Sequence, residues 1–287
     1  MTPSEASLLP GLYLVATPIG NLEDITLRAL RVLKEADVIA CEDTRQTQKL
    51  LTHYGLSKRT VSYHEHNELT RAPELVLQLE QGARIALVSD AGMPGISDPG
   101  YRLITLSIRH HLPVVPVPGA SAFLAALVAS GLATDSFRFS GFLPARRAAR
   151  REALLALRDS PRTQIFYEAP HRIRETLEDV VEVLGAARPV VLAREVTKLH
   201  EEFLRGRAAE VLAQVAQREL KGEITLLIGK AESAAGAAPA AGADLRARLD
   251  ALMASHQLDE KSALKLLAKE LGVSKSEAYR RLQRARK

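Results

Sequence analysis

Four short stretches combine glycine or proline with groups that can hold a ligand or move a proton: ATPIGN (16–21), EDTRQT (42–47), VSDAGMPGISDPG (88–100) and PGASA (118–122). Their glycines let backbone approach a ligand closely. Asp43, Asp90 and Asp98 offer carboxylates to an ammonium group or to hydroxyls, and the helical run that follows PGASA presents N–H groups suited to an anion. An ordinary turn needs only about two to four residues, so thirteen at 88–100 read either as a ligand cradle or as a long structural turn. Taken singly, each stretch is more often structural. Each follows an apolar, strand-like run, and four of them on one sheet edge favour a site.

Other chemistries lack their signatures. No G-x-G-x-x-G follows the first strand, and no phosphate-binding G-x-x-x-x-G-K-[ST] or zinc-binding H-E-x-x-H occurs. YHEHNE (63–68) comes nearest to a metal cluster. His64 and His66 share one face of a strand while Glu65 points away, and two ligands are too few for a metal. The lone Cys41, in VIACED, excludes an intrachain disulfide and a Cys-based zinc site and reads as a small buried hydrophobe.

The elements that position these groups alternate. Strands are expected at 12–16, 38–40, 60–63, 84–88 and 113–117. Helices are expected at 26–36 (capped by Thr26), 45–54 (capped by Thr44), 73–82 (with Pro73 at its start), 101–109 and 120–130. This pattern predicts a mostly parallel sheet with helices on both faces. A second α/β series follows, with strands at 137–142, 163–167, 189–193, 201–206 and 222–229. Helices at 145–158, 172–184 and 208–217 separate them, and short strands such as EEFLRG suggest some antiparallel pairing.

ESAAGAAPAAGA (232–243) has the composition of a linker. Beyond it, 244–287 reads as three helices, with LGVSKSEAYRRLQ resembling a helix-turn-helix. The expected organisation is therefore an N-terminal α/β domain (1–119), a second α/β domain (120–231), the linker and the helical module (244–287). Residues 244–287 hold eleven Lys or Arg against six Asp or Glu, the whole of the net charge of +5. A basic module on a neutral body points to a polyanion, with Arg280, Arg281 and Arg284 as contacts; a helical hairpin packed on the body or on another subunit is the bland alternative. Neither a membrane span nor a signal peptide is read, so a cytoplasmic protein is expected.

PIGNLEDIT, EDTRQTQKLL, SDAGMPGISDPG, PVPGASA, FSGFLP, FYEAPHRI and GEITLLIG together resemble the tetrapyrrole methylase family, over about residues 11–230. The resemblance is to its ribosomal branch, which 2′-O-methylates a cytidine of 16S rRNA, and it covers the basic extension as well. It implies two α/β domains with S-adenosylmethionine in the cleft between them, 16S rRNA within the small ribosomal subunit as partner, and a homodimer; from the absence of ligand spacing, no metal is expected. Carried over by motif, cofactor contacts are Pro18, Ile19, Ser89, Asp90, Met93, Ser121 and Ala122. From the second domain they are Tyr167 or Glu168, Val196, and Gly222 or Glu223.

A ribose 2′-hydroxyl is a poor nucleophile, so a general base, or a cation that favours its alkoxide, is expected, and the sequence singles out no one base. Glu42, Asp43, His64, His66 and Glu168 are the candidate bases, with Arg45, Arg172 or Lys198 holding phosphate or an oxyanion. Asp24 reads as a helix cap near Thr26, and Glu42 and Asp43 could equally be helix N-terminal acids. Tetrapyrrole enzymes of the family carry GDP-x-x-[YF]-G where this chain has SDAGMPGISDPG. That departure, with 4% aromatics and no Trp as a stacking surface, argues against a macrocyclic substrate. Three functions stay open: an rRNA ribose methyltransferase, a methyltransferase for a tetrapyrrole or other small substrate, and a ligand-sensing nucleic-acid regulator.

Overall fold

Residues 7–231, 245, 249–250, 252–253, 259–270 and 273–284 are described by the structure, a computed structural model. GLYLV (β1, Gly11–Val15), VIAC (β2, Val38–Cys41) and RIALV (β4, Arg84–Val88) are almost wholly buried, which a strand achieves only when both faces of its sheet are covered. With β3 (Thr60–Ser62) and β5 (Val114–Val117) they form one parallel sheet of order β3-β2-β4-β1-β5. On one face, Tyr13, Val15, Ile39 and Val88 pack with Ala29, Val32 and Leu33 of α1 (Leu27–Glu35). On the other, Leu12, Ile85 and Leu87 pack with Leu75, Val76 and Leu79 of α3 (Glu68–Glu80) and Leu103 of α4 (Tyr101–Arg109). Between β2 and β3 runs α2 (Thr44–His53).

The second sheet is mixed. Its strands are β6 (Phe137–Phe142), β7 (Thr163–Glu168), β8 (Pro189–Arg194), β9 (Glu202–Arg207) and β10 (Ile224–Ile228), ordered β6-β7-β10-β8-β9. β6 pairs parallel with β7, and the other three pairings are antiparallel. One face carries α6 (Arg147–Leu155), α7 (Ile173–Leu184) and α8 (Ala208–Val215). Buried Asp179 of α7 accepts from Arg150 Nε at 2.8 Å and Arg147 Nε at 3.0 Å, which pins α6 to α7. Removing one partner of such a buried pair leaves an uncompensated charge. The other face is covered by α5 (Ala122–Ser130), whose Ala126 and Leu127 meet Ile165, Val191 and Leu227.

Local chemistry shifts several expected boundaries. α3 begins at Glu68 rather than Pro73, because Asn67 closes the preceding turn. Its Oδ1 accepts from His64 N–H, its Nδ2 donates to Ser62 O, and its carbonyl accepts from Arg71 N–H. The same turn ends β3 at Ser62, so His64 and His66 sit beyond the strand rather than on one face of it. Asp43, not Thr44, caps α2, with Oδ1 accepting from Arg45 N–H at 2.8 Å. Thr26 caps α1 as expected by accepting from Ala29 N–H, while Asp24 lies in a preceding 3-10 turn.

The chain divides into two compact units, Met1–Lys230 and Ala231–Lys287. The second has its own core, in which Leu249 and Leu252 join residues of α9 (Glu260–Glu270) and α10 (Lys275–Arg284). Ser274 Oγ accepts from Glu277 N–H and caps α10. The linker expected over 232–243 and most of the first expected helix of the module lie outside the described residues.

Candidate active site

Parallel pairing carries the ends of β1, β2, β4 and β5 to one edge of the first sheet, and with them the four loops. The loops are tied together there. Thr17 and Gly92 exchange both backbone hydrogen bonds, at 2.9 and 3.0 Å. Buried Thr17 Oγ1 donates to Ser89 O, and Ser89 Oγ donates to Gly92 O at 3.2 Å. Asp43 N–H donates to Asp90 Oδ1 at 3.1 Å. Gly92, at φ 81°, takes the left-handed conformation that lets the loop double back.

Between this edge and the second sheet lies a cavity of about 370 Å³, within the range of small-molecule sites. The loop after β1 crosses it, because Ile19 joins the apolar cluster of α5 and the second sheet. On the far side a salt-bridged strap closes the floor. Glu195 Oε1 accepts from Lys198 Nζ at 2.8 Å and from Glu223 N–H at 2.9 Å. Glu195 and Thr197 are held at φ 52° and 70°, strained values for residues with a Cβ that cluster at functional sites. Gly222, at φ 89°, leaves room for Glu195; a Cβ there would lie 2.4 Å from its Cδ.

Of the expected cofactor contacts, Ile19, Met93, Ser121, Ala122, Tyr167, Glu168, Val196, Gly222 and Glu223 line the cavity. Pro18, Ser89 and Asp90 do not line it: Pro18 and Ser89 are buried, and Asp90 is exposed and joins the second loop to the third. The candidate bases separate by environment. Asp43 is bound by the Arg45 guanidinium and N–H, which hold its carboxyl at about 2, a poor base. Glu168 lines the cavity, but Oε2 accepts from Thr176 Oγ1, Oε1 accepts from Ala169 N–H, and Arg172 Nε lies 3.4 Å from Oε1. Burial, then Asp90 and Glu65, push the Glu42 carboxyl up. His64 has a buried Nδ1 without a hydrogen-bond partner, and His66 is exposed beside it, ring centroids 5.9 Å apart.

Among the cations, Arg172 donates to Leu143 O and Pro144 O and Lys198 belongs to the strap. Arg45 is exposed and aligned with Lys49 and His53 along α2 at helical i, i+4 spacing. Arg280 and Arg281 pair with Glu277 on α10 and remain exposed; the Arg284 side chain lies outside the described residues. No three His, Cys, Asp or Glu gather as a metal site among the described residues. Cys41 is buried, and burial pushes its thiol up.

Motif matching passed over one central group. Asp98 lines the cavity, and burial, followed by Glu42 and Asp90, pushes its carboxyl up to about 7. The second aspartate of SDAGMPGISDPG was a visible signal, but not its desolvation. Four of the few aromatic residues are also gathered rather than scattered. Phe123, Phe139, Phe142 and Tyr167 converge beside the cavity from α5, β6 and β7, a convergence that composition cannot report.

A methyl-donating nucleoside fits this chemistry. Asp98, in the cavity wall with Glu42 and Asp90 near it, suits a sulfonium and an ammonium group. Ser121 makes no capping bond, so the first turn of α5 presents N–H groups at the cavity wall for a carboxylate. Ile19, Val196 and Ile224 provide apolar walls.

The chain belongs to the tetrapyrrole (corrin/porphyrin) methylases, whose family model matches residues 11–212. It is an α/β methyltransferase, as its family and its relatives are. Within the family it is 47% identical, over 278 residues, to the ribosomal RNA small subunit methyltransferase I of Mesorhizobium japonicum, covering 96% of this chain and 92% of the relative. The protein of that name from Halalkalibacterium halodurans is 54% identical over 217 residues, covering 76% and 75%. In fold the chain is similar to diphthine synthase (TM-score 0.61, 16% identity, 76% of this chain and 89% of that one). It also resembles a uroporphyrin-III C-methyltransferase from Thermus thermophilus complexed with S-adenosyl homocysteine (TM-score 0.54, 22% identity, 76% and 97%).

Proposed function

We propose that this protein transfers the methyl group of S-adenosylmethionine to the ribose 2′-hydroxyl of a cytidine in 16S rRNA of the small ribosomal subunit. The near full-length likeness to relatives named for small-subunit rRNA methylation carries the reading. The cavity supports it. Ile19, Val196 and Ile224 would enclose the apolar parts of the cofactor, the start of α5 its carboxylate, and Asp98 its cationic centres, with Asp90 adding negative charge near Asp98. When bound, the cofactor supplies an electrophilic methyl group.

The chain's own residues do the rest. The loops and the Glu195–Lys198 strap exclude water and fix the line of approach, which can lower a barrier by several kcal/mol. Asp98 accepts the proton of the acceptor hydroxyl. It faces the cavity with a carboxyl near the working pH, where a general base is most effective, and a bound cation shifts it towards the ionised form. Arg45 and Lys49 on α2, and Arg280 and Arg281 on α10, contact phosphates. The protein works in the cytoplasm as a homodimer. Support for pairing comes from α5, apolar on all sides, which leaves Leu124 and Val128 exposed.

Incubation with methyl-labelled S-adenosylmethionine and unmodified small ribosomal subunits tests the reading. Label in 16S rRNA is expected; label entering a tetrapyrrole instead, or no acceptor at all, would refute it.

A further inference from the structure

The second phenylalanine of FSGFLP, Phe142, lines the cavity but has been given no role there. Four rings run in series: Phe123 stacks on Phe139 (centroids 4.5 Å apart, 15° between planes), Phe139 meets Tyr167 edge-on at 4.9 Å, and Tyr167 meets Phe142 at 5.8 Å. The first three rings are partly buried. Phe142, at the end of the series, lines the cavity and is 58% exposed.

The backbone is shaped to put it there. Residues three apart on a regular strand point to opposite faces, yet Phe139 and Phe142 both contact Tyr167. The register of β6 against β7 shifts between them, and Gly141 sits at φ 62°. Such a bulge on an edge strand re-aims a side chain. The loop after β4 reaches the same spot, since Ser97 Oγ lies 3.6 Å from where a Gly141 Cβ would be. Its neighbour Ile96 is the other exposed large apolar residue of the cavity, at 39%. Ile19, Val196 and Ile224 of the same cavity, by contrast, are buried. A ligand for Phe142 and Ile96 therefore enters from solvent and offers a flat apolar face.

We propose that Phe142, assisted by Ile96, is the stacking platform for the nucleobase of the acceptor nucleotide, held unstacked from its RNA neighbours while its ribose enters the cavity. The proposal rests on the rRNA reading above. Proteins that recognise single RNA nucleotides splay them out and stack their bases on aromatic rings, and an enzyme that must reach one buried nucleotide has the same need.

The test uses the full chain, small subunits and three variants at this exposed position. Phe142→Ala and Phe142→Leu should lower kcat/KM for subunits about ten- to a hundredfold, the usual loss for one stacked base. Phe142→Trp should keep most of it, and calorimetric affinity for S-adenosylmethionine should be unchanged in all three. Wild-type kcat/KM in Phe142→Ala overturns the proposal, and so does full activity in Phe142→Leu, because packing alone would then suffice. Cofactor affinity falling in step with activity overturns it too, since the cofactor's own adenine would be the stacked ring. Failure of the parent reading looks different: the unaltered protein would then methylate no subunit RNA, and the platform would fall with it.

Discussion

Asp43 donates its backbone N–H to Asp90 Oδ1 at 3.1 Å, so one carboxylate joins the loop after β2 to the loop after β4. Asp90 thus acts twice, holding two loops together and adding negative charge near Asp98. Asp90→Ala should weaken S-adenosylmethionine binding by roughly ten- to a hundredfold, the worth of a charge-assisted hydrogen bond. Calorimetry measures this directly, and unchanged affinity would detach the loop from the cofactor site.

Asp98→Asn separates catalysis from stability. Loss of the base should reduce kcat by about 10²–10⁴-fold. Stability should move the other way. The folded carboxyl holds its proton up to about 7, whereas the unfolded chain releases it in the ordinary carboxylate range. Asp98 therefore costs nothing in acid, and its cost grows as pH rises through that window and persists above it. The variant should melt higher than wild type at about pH 8 and match it near pH 3, without ligand, in calorimetric scans. Equal melting at both pH values would show that Asp98 ionises normally.

Gly222→Ala tests the strap. A Cβ at φ 89° would collide with Glu195, which receives Lys198 Nζ and Glu223 N–H. Overpacking of this kind costs about 1–3 kcal/mol, so a lower melting temperature and weaker cofactor binding are expected together. Lower stability with intact binding would confine the strap to a structural role.

Removing residues 231–287 should leave the α/β unit folded, because each unit has its own core. Cofactor affinity should persist. RNA binding should weaken, and each lost phosphate contact should reduce the slope of log affinity against log salt by about 0.7–0.9. An unaltered slope would show that this module is not the RNA grip.

Strand and helix order could be read from the chain because each element of the first sheet carries its own periodicity and turn residues. The convergence of the four loops followed from parallel pairing alone. What escaped the reading depended on contacts between distant residues. Asn67 started α3 five residues ahead of Pro73, and Asp43 displaced Thr44 as the cap of α2. The Asp98 carboxyl is raised by burial and by Glu42 and Asp90, and the Phe142 ring is turned by a bulge that only the register against β7 defines. The Arg172 guanidinium donates to the carbonyls of Leu143 and Pro144, partners nearly thirty residues away that its own motif does not reveal.

The central claim concerns which atom receives the methyl group. Small subunits methylated by the pure protein can be digested to nucleosides and analysed by mass spectrometry. The account predicts a single new species, 2′-O-methylcytidine, absent when the Asp98→Asn variant is used. A base-methylated nucleoside, or a methylated nucleoside other than cytidine, would contradict it.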